Sequence, residues 1–145
     1  MNHAKILMEA FSAVPFNQLL GISFFTESDE IILRFKMQDN LIGNFIQGIL
    51  HGGVISSVLD MAGGAAALLA FIKKHDGLPL ENLEAELSKA STIHLNIDYL
   101  RPGKGEEFIA KSSVLRTGNK ITVTRMELFN EEDTMIASAS GIYFI

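Results

Sequence analysis

Hydrophobic and polar positions follow three rhythms along this chain, and each predicts a different element. Over residues 2–13, Ile6, Leu7, Ala10 and Phe11, followed by Val14, recur at the spacing of one helix face, and Pro15 ends that helix. Over residues 21–37, Ile31, Leu33, Phe35 and Met37 alternate with Ile32, Arg34 and Lys36. That period of two predicts two strands, joined by the polar turn Glu27-Ser28-Asp29-Glu30. Residues 39–50 contain Gly43, Asn44 and Gly48 and read as a loop. Its apolar residues Leu41, Ile42, Phe45 and Ile46 are expected to be exposed and to need cover from a partner chain or an apolar ligand. Residues 52–74 are apolar nearly all round, which predicts one long buried helix of roughly 30–35 Å. A polar connection with Gly77 and Pro79 follows, with a helical turn within 81–87.

The period of two returns from Ser91 onward. Ile93, Leu95, Ile97 and Tyr99 alternate with Thr92, His94, Asn96 and Asp98, the second set reading as the wetter face. Pro102-Gly103 closes that strand. Three more strands are expected over 107–116, 121–130 and 134–145. The short turns Thr117-Gly118-Asn119 and Glu131-Glu132-Asp133 make them antiparallel neighbours. The predicted class is α+β: one curved antiparallel sheet wrapped around a long central helix and preceded by a short N-terminal helix.

Composition narrows this picture. A length of 145 residues suits one domain over 1–145, and 48% apolar with 20% charged residues is globular composition. The net charge of −5 argues against a nucleic-acid partner. The absence of cysteine removes disulfides, thiolate metal sites and cysteine nucleophiles. His3, His51, His75 and His94 lack metal-ligand spacing, so no metal site is expected. Glu9 interrupts the apolar N-terminal stretch, which makes a poor signal peptide and leads to a cytoplasmic expectation. Six of the twelve basic residues, Arg101, Lys104, Lys111, Arg116, Lys120 and Arg125, cluster in one region opposed by Glu106 and Glu107. They read either as solvated strand edges or as a site for a small phosphorylated ligand.

Asp60 is the only formally charged residue between Asp39 and Lys73. An ionised carboxylate in so apolar a run is costly unless it is paired, hydrated or used. Ser56 and Ser57, on nearly the same helical face, could hold it as a structural group. The run is long enough for a membrane span, but an Asp near its centre and the lack of a second span oppose that. The chemical reading begins nine residues earlier, at His51-Gly52-Gly53. A helix opening there offers N–H groups to a developing oxyanion, and Asp60 supplies a carboxylate, two parts of an acyl-transfer site.

The element order, with His51-Gly52-Gly53 and Asp60 at the start of the central helix, resembles the hotdog-fold acyl-CoA thioesterases. The phenylacetic-acid-degradation type is the nearest subgroup. Phe16-x3-Leu20-Gly21, Tyr99-Leu100-Arg101-Pro102 and Arg116-Thr117-Gly118 add to the likeness. The resemblance implies hydrolysis of a coenzyme A thioester, with coenzyme A as part of the substrate and no further cofactor. It implies that the Gly52 N–H polarises the carbonyl and that Asp60 acts as general base or nucleophile. Thr92 then helps hold the water or the carboxylate. Asn44, with Gln47 as the alternative, supplies the amide that precedes the helix. Gly64 offers no side chain where some relatives place a polar helper. His51 is expected to cap the helix or to orient the loop through its ring N–H. Gly53, Phe45, Ile46, Leu50 and Met61 are candidates around the acyl group. Arg101, Arg116, Thr117, Gly118, Asn119 and Lys120 are candidates for the nucleotide end.

Gly52 and Asp60 stand eight residues apart, hence roughly 12 Å along one helix. One carbonyl carbon cannot engage both from the same chain. The expected site therefore pairs Gly52 of one subunit with Asp60 of another, in a homodimer or a dimer of dimers whose central helices run antiparallel. Two other functions remain open on the residues alone: an acyl-CoA-binding protein without turnover, and a hydratase or dehydratase.

Overall fold

A computed structural model of the chain describes residues 3–145, apart from the side chain of Leu80. Helix α1 (His3–Ser12) comes first; the expected first helical residue, Asn2, lies outside the described residues. Pro15 ends this helix as expected and also opens another. Helix α2 (Pro15–Leu20) has Pro15 in its first turn, where no N–H is needed, and Gly21 at its end with φ 71°. Six residues are too few to show a period, which is why the pattern missed this helix. Asn17, almost fully buried, donates to the Phe11 carbonyl at 3.0 Å and ties α2 to α1.

Strands β1 (Ser23–Glu27) and β2 (Glu30–Lys36) form the expected hairpin. The segment expected to be a loop holds a 3-10 turn (Asp39–Leu41) and a small antiparallel pair, β3 (Ile42–Asn44) and β4 (Ile49–Leu50). It divides in burial. Leu41 is in the core and Ile42 is half-buried, correcting the expectation that both are exposed, while Phe45 and Ile46 at the tip are 87% and 83% exposed.

Helix α3 spans Gly52–Lys74, as its pattern predicts. By length and composition it could cross a membrane, yet its Val58, Leu59, Ala62, Ala65 and Ala67 are buried within the protein. Helix α4 (Leu80–Leu87) covers the expected helical turn, and β5 (Ser91–Tyr99), β6 (Glu107–Thr117), β7 (Ile121–Asn130) and β8 (Met135–Phe144) follow. The six main strands make one antiparallel sheet in the order β1-β2-β6-β7-β8-β5, so β5 is an edge strand. Helix α3 packs across β6, β7 and β8, with Phe108, Met126, Leu128 and Ile136 fully buried around it. This is the expected α+β hotdog architecture.

Two backbone features position the functional region. First, a Cβ on Gly63 would meet the Tyr143 hydroxyl and would lie 2.8 Å from Met126 Sδ. Only glycine lets the helix approach β7 and β8 this closely. Second, β5 is bulged between Thr92 and His94, so Thr92 pairs with Tyr143 while Leu95 pairs with Gly141 and Ile97 with Ala139. A bulge moves the residues before it to the other face. Thr92, though exposed, thus turns its hydroxyl toward the helix, against the alternation read from the sequence.

The other end of the sheet is tied by Glu131, whose carboxylate accepts from the N–H groups of Glu106 (3.1 Å) and Glu107 (3.2 Å). Hydrogen bonds from the N–H groups of Glu131 itself, Glu107 and Glu106 lower its pKa below the usual glutamate value. A carboxylate depressed in the folded state contributes stability above its unfolded pKa, about 4.3, and loses it as pH falls through the lower folded value. Replacing Glu131 by Gln is therefore expected to lower Tm at neutral pH, with the gap from wild type closing in acid. A gap that persists unchanged to about pH 2, well under the ordinary glutamate value, would refute this.

Candidate active site

The first half of α3 carries two separate constellations, one at its start and one at Asp60. At the start, His51 is the N-cap residue with φ −61° and ψ 137°. Its Nδ1 accepts from the Gly53 N–H at 2.7 Å. The ring caps the helix as an acceptor, the first of the two roles expected of His51. Glycine at 53 admits the ring, since a Cβ there would lie 2.9 Å from Nδ1. Glycine at 43 lets β3 pack directly on His51, whose Cα would be 2.5 Å from an added Cβ. The Gly52 N–H has no partner among the described residues and is left as the free donor at the helix N-terminus. Tyr99 closes over it: the ring stands 3.5 Å from a Cβ built on Gly52, and its hydroxyl lies 3.3 Å from the Gly52 carbonyl.

Two turns on, Asp60 is half-buried and lines a cavity of about 210 Å³ together with Phe11, Met61, Leu68, Thr92 and Tyr143. The Thr92 hydroxyl donates to Asp60 Oδ1 at 2.9 Å. The Tyr143 hydroxyl donates to the Asp60 carbonyl at 3.0 Å and to the same Oδ1 at 3.2 Å. Ser56 and Ser57 do not hold the carboxylate; both donate to the Gly53 carbonyl, at 3.0 and 2.6 Å. Burial, with the Asp60 charge and the bond to it, pushes the Tyr143 phenol far above the ordinary tyrosine value, outweighing the lowering from Thr124. The phenol is thus a donor at any working pH.

The structure brings Thr92 and Met61 to Asp60 but leaves the other candidates elsewhere. Asn44 accepts through Oδ1 from the N–H groups of Ile46 (3.1 Å) and Gln47 (3.2 Å), shaping the turn under Phe45 and Ile46. Gln47 faces a separate groove with Arg101 and Lys104. Leu50 is a core residue packed on Gly103, not a cavity wall, which corrects its place among the acyl candidates. The basic cluster is also divided, because β6 runs between its parts and spans about 33–37 Å. Arg101, which donates to the Met135 carbonyl at 2.7 Å, lies at the Tyr99 end. Arg116 and Thr117 end β6, and Gly118, Asn119 and Lys120 form the β6–β7 turn, at the other end. There Thr117 pairs with Thr122, Thr122 with Tyr143 and Tyr143 with Thr92. The register thus puts this turn at the Asp60 end of the sheet, with Lys74 donating to the Gly118 carbonyl at 3.2 Å.

Sequence reading missed Tyr99 as a site residue, and Tyr143 altogether. The chain has two tyrosines, and each touches one of the two constellations. Gly63, Gly64 and Gly141, small residues facing one tyrosine, were the available signal.

A model of the thioesterase superfamily matches residues 47–137, the stretch that holds His51, Gly52, Asp60, Thr92 and Tyr99. The chain belongs to the thioesterase superfamily. A medium/long-chain acyl-CoA thioesterase, YigI of Escherichia coli (strain K12), is 46% identical over 133 residues, covering 91% of this chain and 86% of the relative. A crystal structure of a thioesterase-superfamily protein from Shewanella oneidensis superposes with a TM-score of 0.93 at 40% identity, covering 98% and 94% of the two chains. The Escherichia coli PaaI protein of the phenylacetic acid degradation operon shares the fold, with a TM-score of 0.76 at 23% identity over 97% and 91% of the chains. As a thioesterase-superfamily enzyme, the chain presents a helix start with a free N–H at Gly52 and a carboxylate on an apolar cavity, and it keeps them apart on one helix.

The cap on that helix start is testable. His51→Ala is expected to cost about 1 kcal/mol of stability through loss of the acceptor. His51→Asn, which restores an acceptor, is expected to recover most of it, both read from denaturant midpoints.

Proposed function

We propose that this protein hydrolyses acyl-CoA thioesters to the free acid and coenzyme A, at sites shared between two subunits. The observation that carries this is Asp60: a carboxylate held at Oδ1 by Thr92 and Tyr143, on the wall of an apolar cavity. The acyl-CoA thioesterase at 46% identity supports the substrate class.

The chemistry needs two groups. A water molecule attacks the thioester carbon, forming a C–O bond while its proton passes to Asp60 as general base. The carbonyl oxygen becomes an oxyanion opposite the Gly52 N–H at the positive end of α3. The C–S bond then breaks, and the thiolate of coenzyme A leaves with the proton from Asp60. The acyl chain lies along Phe11, Met61 and Leu68. The phosphates of coenzyme A meet the basic residues, Arg116–Lys120 at the Asp60 end or Arg101 at the Gly52 end, since net charge of −5 makes local attraction necessary. A hydratase reading is weaker, because the His51 ring already serves as a cap.

The roughly 12 Å between Gly52 and Asp60 demands a second chain. The free edge of β5, with Ile93, Tyr99 and Leu100 each more than half exposed, supports a two-fold partner there. Phe45 and Ile46 would find cover in the same assembly.

Two measurements test these points. Asp60→Asn is expected to lower kcat for thiol release from acyl-CoA at least about a hundredfold while keeping the fold, because a half-buried charge is removed. Near-wild-type turnover would remove Asp60 from the mechanism. Gly52→Pro deletes the N–H in question and adds a ring whose Cβ would stand in ordinary contact, 3.5 Å, with Tyr99; proline suits the first helical position, and the ψ of 137° at His51 suits a following proline. Each variant alone is expected to be inactive. After subunit exchange at equal amounts, about a quarter of wild-type activity is expected, since mixed dimers carry one intact site of two. Proven exchange without any recovery would show that the sites are not shared.

A further inference from the structure

Tyr143 is nearly fully buried, and the fold has made room for it. A Cβ on Gly141 would lie 2.6 Å from its Cε2 and 2.8 Å from its hydroxyl oxygen, and one on Gly64 would lie 3.6 Å from Cε1. A Cβ on Gly63 would meet the hydroxyl itself. Three glycines on α3 and β8 therefore leave a notch through which the ring reaches Asp60. Hydrophobic packing does not call for such a notch, since a smaller side chain on β8 would fill the space without it. What the notch secures is the position of one hydroxyl.

We propose that Tyr143 is a positioning residue for Asp60, holding Oδ1 together with Thr92 so that Oδ2 alone is presented to the cavity. The inference rests on the reading of Asp60 as the base in thioester hydrolysis and adds to it a role for the Tyr143 hydroxyl in aiming that base. Both hydroxyl donors reach the same oxygen, at 2.9 and 3.2 Å, and Oδ2 has no partner among the described residues. A carboxylate free to turn about χ2 would offer either oxygen in many orientations. One fixed through Oδ1 keeps a single lone-pair direction aimed where the attacking water must stand. Tyr143 also donates to the Asp60 carbonyl at 3.0 Å, so the same hydroxyl references the carboxylate to the helix backbone. The burial and adjacent charge that keep the phenol protonated hold it as a donor throughout turnover.

The test uses Tyr143→Phe, which removes only the hydroxyl and keeps the ring in its notch, in protein labelled with 13Cγ-aspartate. The six aspartates give six resonances, and Asp60 is assigned by its loss in Asp60→Asn. The expected result is a shifted Asp60 resonance, a kcat lower by roughly tenfold as for loss of one bond to a charged group, and a KM within about twofold of wild type. Gly141→Ala, which displaces the ring, is expected to give the same pair of changes if Tyr143→Phe folds poorly. Thr92→Val combined with Tyr143→Phe is expected to fall below either alone. An Asp60 resonance at its wild-type position in Tyr143→Phe, or unchanged kcat, would overturn the proposal and leave Tyr143 as packing. If wild type releases no thiol from any acyl-CoA, the thioesterase reading fails, while the resonance still decides whether Tyr143 holds the carboxylate.

Discussion

Everything at this site depends on the close approach of α3 to the sheet at Gly63. Had any side chain stood there, the helix would sit farther from β7 and β8. The Tyr143 and Thr92 hydroxyls would then fall short of Asp60. The contact also settles how an apolar helix can carry an acid. A carboxylate removed from water costs several kcal/mol unless hydrogen bonds replace its hydration. Here the replacement comes from the sheet and not from the helix. The neighbouring serines turn back to the Gly53 carbonyl, and the donors arrive from β5 and β8.

A single bulge decides whether β5 can take part. Side chains on a regular strand alternate faces, so Thr92 and Leu95 would point opposite ways. The extra residue at Ile93 puts both on the inner face, beside Tyr143 and Gly141. Beyond the bulge, the same inner face runs through Ile97 to Tyr99, which closes over Gly52. One strand thus supplies a hydroxyl to each end of the functional half of α3, and the length of helix between them keeps the two ends apart. On the proposed reading, that separation is what makes a second subunit part of the chemistry. The unpaired edge of β5 is where the sheet leaves room for one.

The fold was largely legible because its elements are long and strongly periodic. The limits of α3 and the succession of the main strands along the chain follow from where apolar residues recur; the place of β5 at the edge beside β8 does not. Short elements were not legible: α2 has six residues, and β3 and β4 have three and two, too few to establish a period. The basic residues from Arg101 to Arg125 are adjacent in sequence, yet an extended strand carries Arg116 far from Arg101. Leu50 and Leu41 read as loop residues because nothing in a one-dimensional pattern shows that the chain turns them inward against Gly103 and the core.

By itself, the sequence determined that one acid lies in an apolar helix, that two glycines and a histidine open that helix, and that these features lie too far apart to meet within one chain. Those statements depend only on residue identity and helical rise, which local chemistry controls. Tertiary structure alone decided what holds the acid. Thr92 and Tyr143 lie 32 and 83 residues away from it. Their arrival depends on strand register, a bulge and three glycines acting together, and register is set by the pairing of whole strands, not by any residue alone.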